Sequence, residues 1–203
     1  AQGTLLDIDH GTYPFVTSSS PFSGGISTGL GLPLTKLEKI IGIFKAYTTR
    51  VGSGPFPTEL NDSVGEKLRE VGKEFGATTG RPRRCGWLDA FAAKYSCMIN
   101  GLTDIALTKL DILDSFDEIK ICVGYEYNGI HLSNYSESID IENHIKPIYK
   151  KFKGWNNNLN GISEYNMLPL ECREYIEFIE DFLDTKISII SIGPGRNDII
   201  NRL

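Results

Sequence analysis

Thr103-Asp104-Ile105-Ala106-Leu107-Thr108-Lys109-Leu110-Asp111 is the stretch on which the fold turns. Its first part is the short apolar run of a buried strand, and it stops abruptly at polar Lys109 and Asp111. Upstream, Leu88, Phe91, Ala92, Tyr95 and Ile99 fall on one helical face. Downstream, residues 119–125 read as another strand that runs on through Asn128-Gly129, a strong hairpin signal. Further on, Cys172, Tyr175, Ile176, Ile179, Phe182 and Leu183 form a helical stripe, so a helix is expected over residues 169–185. It feeds a last strand, residues 187–191, which ends at Ile192-Gly193-Pro194-Gly195. Helix and strand alternate, which specifies an α/β fold: a mainly parallel open sheet covered by helices. Residues 134–166, rich in Asn, Ile, Ser and Lys, are weakly patterned and read as a surface excursion with irregular or short strand structure.

The amino-terminal side is less regular. Leu5-Leu6-Asp7-Ile8-Asp9 reads as a short buried strand, and a Gly/Ser/Thr/Pro-rich loop over residues 10–33 follows it. Residues 40–51 are rich in β-branched and aromatic side chains and read as a strand. Ser63-Val64-Gly65-Glu66 has the form of a capping box, and Val64, Leu68, Val71 and Phe75 then place a helix over residues 64–75.

That helix leads into Gly76, Ala77, Thr78, Thr79, Gly80, Arg81, Pro82, Arg83 and Arg84. Guanidinium forks match carboxylate and phosphate oxygens bidentately, and the threonine hydroxyls add short donors. The glycines allow close approach of the backbone, while Pro82 stiffens the loop. The loop reads either as an anion receiver or as a solvated basic turn.

The chain has 203 residues with 26 acidic against 21 basic side chains, a net charge of -5, which argues against a general nucleic-acid binder. It holds no apolar run of about 18 residues, the length needed to span a membrane. The four cysteines fit no zinc or redox spacing, and Cys97 and Cys172 lie on apolar stripes, so a reducing, cytoplasmic setting is expected. His10, His131 and His144 are isolated, and no phosphate-binding G-x-x-x-x-G-K-[ST] loop or G-x-S-x-G elbow is present. Asp7 and Asp9 would share one face of a strand, which suits a partly exposed strand end better than an acid/base pair.

Two strands therefore end in turns ready for a ligand, at Thr108-Lys109-Leu110-Asp111 and at Ser191-Ile192-Gly193-Pro194. A carboxylate at such a strand end can accept two parallel hydrogen bonds, from guanine N1–H and the exocyclic amine, a pair that adenine does not offer. The Lys109 stem can lie over the purine face. T-K-x-D resembles the N-K-x-D element of GTP-binding proteins, and an ordinary strand-end turn is the alternative.

Taken in order, A-Q-G-T-L-L-D-I-D-H-G-T-Y-P-F-V-T-S-S (1–19), K-A-Y-T-T-R-V-G (45–52), G-P-F-P-T-E-L (54–60), F-G-A-T-T-G-R (75–81), G-W-L-D (86–89), L-T-K-L-D (107–111) and S-I-G-P-G-R (191–196) resemble adenylosuccinate synthetase from end to end, over that enzyme's carboxyl-terminal half. The resemblance implies a larger P-loop-like GTP-dependent ligase fold of which residues 1–203 are the carboxyl-terminal part. It implies the condensation of IMP with L-aspartate, driven by GTP, to adenylosuccinate through a 6-phosphoryl-IMP intermediate, the first step from IMP to AMP. By position, Gln2 matches the amide beside the IMP 6-oxygen, and Thr17 and Arg81 match further IMP-binding groups. Gly76, Ala77, Thr78, Thr79, Gly80, Arg81 and Arg83 match the loop that closes on aspartate. Arg83, Lys109, Leu110, Asp111, Ser191, Ile192 and Gly193 match the GTP-binding groups.

Pro82 stands where many members carry another arginine, Ile192 replaces a common threonine, and Pro21-Phe22-Ser23 differs from the usual polar triplet. The family's phosphate loop, Mg²⁺ ligands and principal acid/base residues match nothing here and are expected upstream of Ala1, so the chain by itself is expected to be inactive and to hold no metal. A homodimer is implied for the complete enzyme. The alternative of another class is a non-catalytic guanine-nucleotide-binding module.

Overall fold

A computed structural model describes residues 2–139 and 145–202. The side chain of Gln2 and all of His144 lie outside the described part. The chain opens on a short helix, α1 (Gln2–Leu5), and a second, α2 (Gly25–Leu30). Then come β1 (Ile41–Lys45), β2 (Thr48–Arg50), α3 (Ser63–Val71), β3 (Arg84–Gly86), β4 (Leu88–Asp89) and α4 (Ala90–Asn100). The rest comprises β5 (Asp104–Thr108), β6 (Glu118–Tyr127), β7 (Ile130–His131), α5 (Ser136–Ile139), β8 (Lys146–Lys153), α6 (Leu170–Leu183), β9 (Lys186–Ser191) and β10 (Ile199–Asn201).

The expected α/β architecture is present. The main sheet has the order β1-β5-β9-β10, with β1, β5 and β9 parallel and β10 antiparallel at one edge. Its centre is β5, whose Ile105 and Leu107 are fully buried, as a strand flanked on both sides and covered by helices should be. Lys45 pairs with Thr108 and Leu107 with Ile190, so the carboxyl ends of all three parallel strands meet at one edge. Covering it, α6 buries Cys172, Tyr175, Ile176, Ile179 and Leu183, the stripe that the periodicity predicts apart from a half-exposed Phe182. A second sheet joins β4, β6 and β7, with β8 on β6, and β2 pairs with β3 in a separate ribbon.

Several expectations need correction. Residues 5–9 are not a strand. The Asp7 carboxylate is buried and accepts the N–H groups of Asp9 (2.9 Å) and His10 (3.0 Å), a local turn that outcompetes extended pairing. The strand expected over 40–51 breaks at Ala46, whose N–H still reaches Thr108 O (2.8 Å) while its carbonyl accepts from the Tyr175 hydroxyl (2.6 Å). The cap of α3 is Asp62, not Ser63: Asp62 Oδ1 accepts from Val64 and Gly65 N–H, each at 3.0 Å. Since α3 ends at Val71, Phe75 lies beyond it and is exposed. Leu88 belongs to β4 rather than to the following helix. Residues 134–166 are more than an excursion: β8 pairs with β6 from Lys153↔Glu118 to Lys146↔Glu126, and Tyr135, Trp155 and Leu159 are buried. The short edge strand β10 was not expected.

Candidate active site

At the edge where the parallel strands end, side chains from three segments converge on one carboxylate. Glu74, just past α3, is completely buried. Its Oε1 accepts from Lys45 Nζ (2.8 Å) at the end of β1, from Lys109 Nζ (2.8 Å) after β5, and from the Tyr47 hydroxyl (2.6 Å). Its Oε2 accepts from Arg83 Nη1 at 2.8 Å. Burial alone would raise the Glu74 pKa, but the hydrogen bonds from Lys109, Lys45 and Tyr47 prevail and hold it at about 2. Burial lowers the pKa of Lys45 and raises that of Tyr47. Three cations against one carboxylate leave positive charge in excess, which suits a polyanion.

Lys109 sits at φ 60°, the left-handed region that few non-glycine residues adopt, and this turns its side chain back over the strand end, where Nζ also reaches Gly72 O at 2.7 Å. Next to it, Leu110 is buried and Asp111 half-buried, with the Asp111 pKa raised by burial and further by Asp198. The Ser191–Gly193 turn is braced from behind. Ser191 Oγ donates to Gly193 O (3.0 Å), Ile192 N donates to Asp198 O (3.0 Å), and Asp198 Oδ2 accepts from Gly195 N (2.7 Å). A Cβ on Gly193 would lie 2.5 Å from Asp198 Oδ2, so a larger residue there would push the Asp198 carboxylate off Gly195 N. Ile192 is buried, and its N–H is already engaged by Asp198 O. Nothing in the sequence singled out Asp198.

The 76–83 loop is anchored at its base: Arg83 N donates to Glu74 O, and Gly76 N to Arg81 O, both at 2.9 Å. Inside it Gly80 N donates to Gly76 O (2.8 Å), and Thr78, Thr79, Gly80 and Arg81 are exposed, as is Ala77. The three arginines have separate fates. Arg84 pairs with Glu59 and lies over the Phe56 ring, a structural post. Arg83 spends one nitrogen on Glu74 while its Nε is buried without a partner. Arg81 makes no ion pair among the described residues.

Beside the Glu74 cluster opens a cavity of about 400 Å³, lined among others by Lys45, Thr49, Arg50, Val51, Arg83 and Asp89. Arg50 is 5% exposed and has no carboxylate partner among the described residues; it donates to Pro55 O (3.0 Å), Thr12 Oγ1 (3.0 Å) and Ser53 O (3.4 Å). These bonds tie the 51–55 loop to the loop that carries Thr17. Thr17 Oγ1 itself donates to Leu6 O (3.1 Å) and shares a bond with Ser19. On the far wall, Asp89 caps α4 through Ala92 N (3.0 Å) and accepts from Tyr125, and burial pushes its pKa up to about 6. The structure thus brings Lys109, Arg83 and Glu74 together, and sets Asp111 near Asp198 behind the Ser191–Gly193 turn. Among the described residues neither Thr17 nor Arg81 is hydrogen-bonded to these groups. The sequence reading missed Glu74, Lys45, Arg50 and Asp198. A signal existed for Lys45 and Arg50, both inside the quoted 45–52 motif.

Comparison with known proteins bears on the whole chain. The family model for adenylosuccinate synthetase matches residues 1–200. An adenylosuccinate synthetase of Thermodesulfovibrio yellowstonii is 54% identical over 200 residues, which is 98% of this chain and 47% of that protein. A fully ligated adenylosuccinate synthetase from Plasmodium falciparum superposes with a TM-score of 0.94 at 44% identity, over 98% of this chain and 48% of that one. A cyanophage S-2L succinoaminodeoxyadenylate synthetase, bound to dGMP and to dATP as an energy donor, covers 98% of this chain and 44% of its own at 17% identity and a TM-score of 0.57, a likeness of fold alone. The chain spans about half the length of the curated relatives it matches. On the family match and these identities, the chain belongs to the adenylosuccinate synthetase family.

Proposed function

We propose that this segment supplies base-reading and anion-binding groups to a GTP-dependent ligase that joins IMP and L-aspartate into adenylosuccinate through 6-phosphoryl-IMP. The observation that carries the reading is the Glu74-centred gathering of Lys45, Arg83 and Lys109 at the carboxyl ends of parallel strands, one residue from Leu110 and two from Asp111. Ligands collect at such edges in open α/β sheets.

In this reading Asp111 accepts both donors of the guanine edge. Its raised pKa fits a carboxylate already partly desolvated, waiting for paired N–H groups. The Lys109 stem covers the base, and the backbone of Ser191, Ile192 and Gly193 completes the pocket. Arg83 faces the GTP phosphates, its unpartnered Nε providing the donor. Thr78, Thr79 and Arg81, exposed on an anchored loop, hold the carboxylates of aspartate, with Arg81 also facing IMP. Thr17 takes the IMP 5′-phosphate, and the Gln2 amide stabilises the 6-oxyanion as the base loses its N1 proton. The cavity beside Arg50 is the natural seat for IMP.

Mg²⁺ belongs to the reaction in this reading, where it would screen phosphate charge. The described residues contain no group of three or more His, Cys, Asp or Glu placed to hold a metal, so they do not fit that site. Four buried free cysteines suit a reducing, cytoplasmic setting, and no helix among the described residues is long and apolar enough to cross a membrane. A homodimer is part of the proposal. Calorimetry on the full-length protein with GTP, IMP and aspartate tests it: all three bind in the supporting outcome. Binding of GTP with indifference to IMP and aspartate would instead make this a guanine-nucleotide-binding module.

A further inference from the structure

Glu74 has no part in the base reading or substrate binding set out above, yet four side chains donate to it: Lys45, Tyr47, Lys109 and Arg83. They come from the end of β1, the chain just after it, the turn after β5 and the far stem of the 76–83 loop. The backbone of Glu74 is the near stem of that loop, closing it through the Arg83 N–H at 2.9 Å. One residue is therefore part of the loop base and, through its carboxylate, bonded to the lysine at the guanine edge.

The charges explain why this matters. Lys45, Lys109 and Arg83 would repel one another if Glu74 were neutral, and Lys45 is already desolvated enough for its pKa to fall. A carboxylate held ionised, about 2 in pKa, keeps all three in one geometry before any ligand arrives. Arg83 shows the result: one nitrogen is fixed on Glu74 while Nε stays buried and unpartnered. Prepaid ordering of this kind lowers the cost of binding a polyanion.

We propose that Glu74 is a positioning residue that couples the guanine subsite to the dicarboxylate loop, by fixing Lys109 and Arg83 as one cationic array. The proposal rests on the assignment of Lys109 to guanine and of residues 76–83 to aspartate. Seating the nucleotide on Lys109 and Arg83 then stiffens both stems of the loop that receives aspartate. By linkage the favour is returned.

The test compares the full-length protein with Glu74→Gln and with Glu70→Gln, an exposed neighbour on α3 as control. The KM values for GTP and for aspartate each rise about tenfold in Glu74→Gln, while the IMP KM stays within about twofold. The dependence of the aspartate KM on GTP concentration also disappears, and Glu70→Gln behaves as wild type. A lower melting temperature with unchanged KM values, or an equal rise in all three, overturns the proposal, since a purely structural role does either. If Glu74→Gln does not fold, Tyr47→Phe removes one donor and keeps the ring: the GTP and aspartate KM values rise about threefold without the IMP value, and no change overturns the proposal. A wild-type protein with no turnover on GTP, IMP and aspartate brings down the functional reading and the coupling with it. Normal turnover with an unaffected Glu74→Gln brings down the coupling alone.

Discussion

Two buried carboxylates, Glu74 beside the cavity and Asp89 in its lining, behave in opposite ways. Glu74 is met by three cations and a hydroxyl, and its pKa falls to about 2. Among the described residues Asp89 accepts side-chain hydrogen bonds only from the Tyr125 hydroxyl and the Ala92 N–H, and burial pushes its pKa up to about 6. The difference lies in the neighbours, since both groups are removed from water. A carboxylate among cations organises charge for others; one among neutral donors organises backbone, here the start of α4.

The contrast sets the order of expected effects. Glu74→Met removes the counterion and leaves three cations facing each other. Breaking a buried pair costs about 3–5 kcal/mol, and because Lys45, Arg83 and Lys109 are 28%, 34% and 35% exposed and can turn to water, the lower end is expected. Denaturant unfolding measures it; a loss under about 1 kcal/mol would place the cluster among weak surface pairs. Asp89→Asn has the smaller effect, because asparagine still caps a helix. Its signature is in pH dependence. The folded pKa of Asp89 lies above its unfolded value, so wild-type stability falls as pH rises from about 4 to 6 on account of this group, and Asp89→Asn loses that slope. Glu74 acts with the opposite sign: its stabilisation is present above about pH 4.5 and fades as pH falls toward 2. Parallel pH curves for wild type and Asp89→Asn between 4 and 6 would contradict the contrast.

Periodic signals carried the long elements. The α6 stripe and the β5 run are read correctly because their burial pattern is set by helix and strand geometry within one segment. What failed depended on partners distant in sequence or on local polar competition. Residues 5–9 look like a strand until Asp7 takes up two backbone N–H groups, and Ser63 looks like a cap until Asp62 takes the role. Residues 134–166 lack alternation because β8 is a lysine-rich strand with no fully buried residue, whose support is β6. In the site, Lys109 and Arg83, which the structure brings together on Glu74, both lie in stretches quoted from motif spacing. Glu74 was not legible, since a single glutamate after a helix carries no mark of the cations that three other parts of the chain bring to it.

The most direct measurement is the nucleotide preference of Asp111→Asn in the full-length protein. The asparagine amide donates where the guanine amine also donates, so GTP affinity falls by about 1–3 kcal/mol and xanthosine triphosphate, with an acceptor at that position, becomes the better ligand. Unchanged GTP affinity, with no gain for xanthosine triphosphate, would contradict the assignment of this strand edge to guanine.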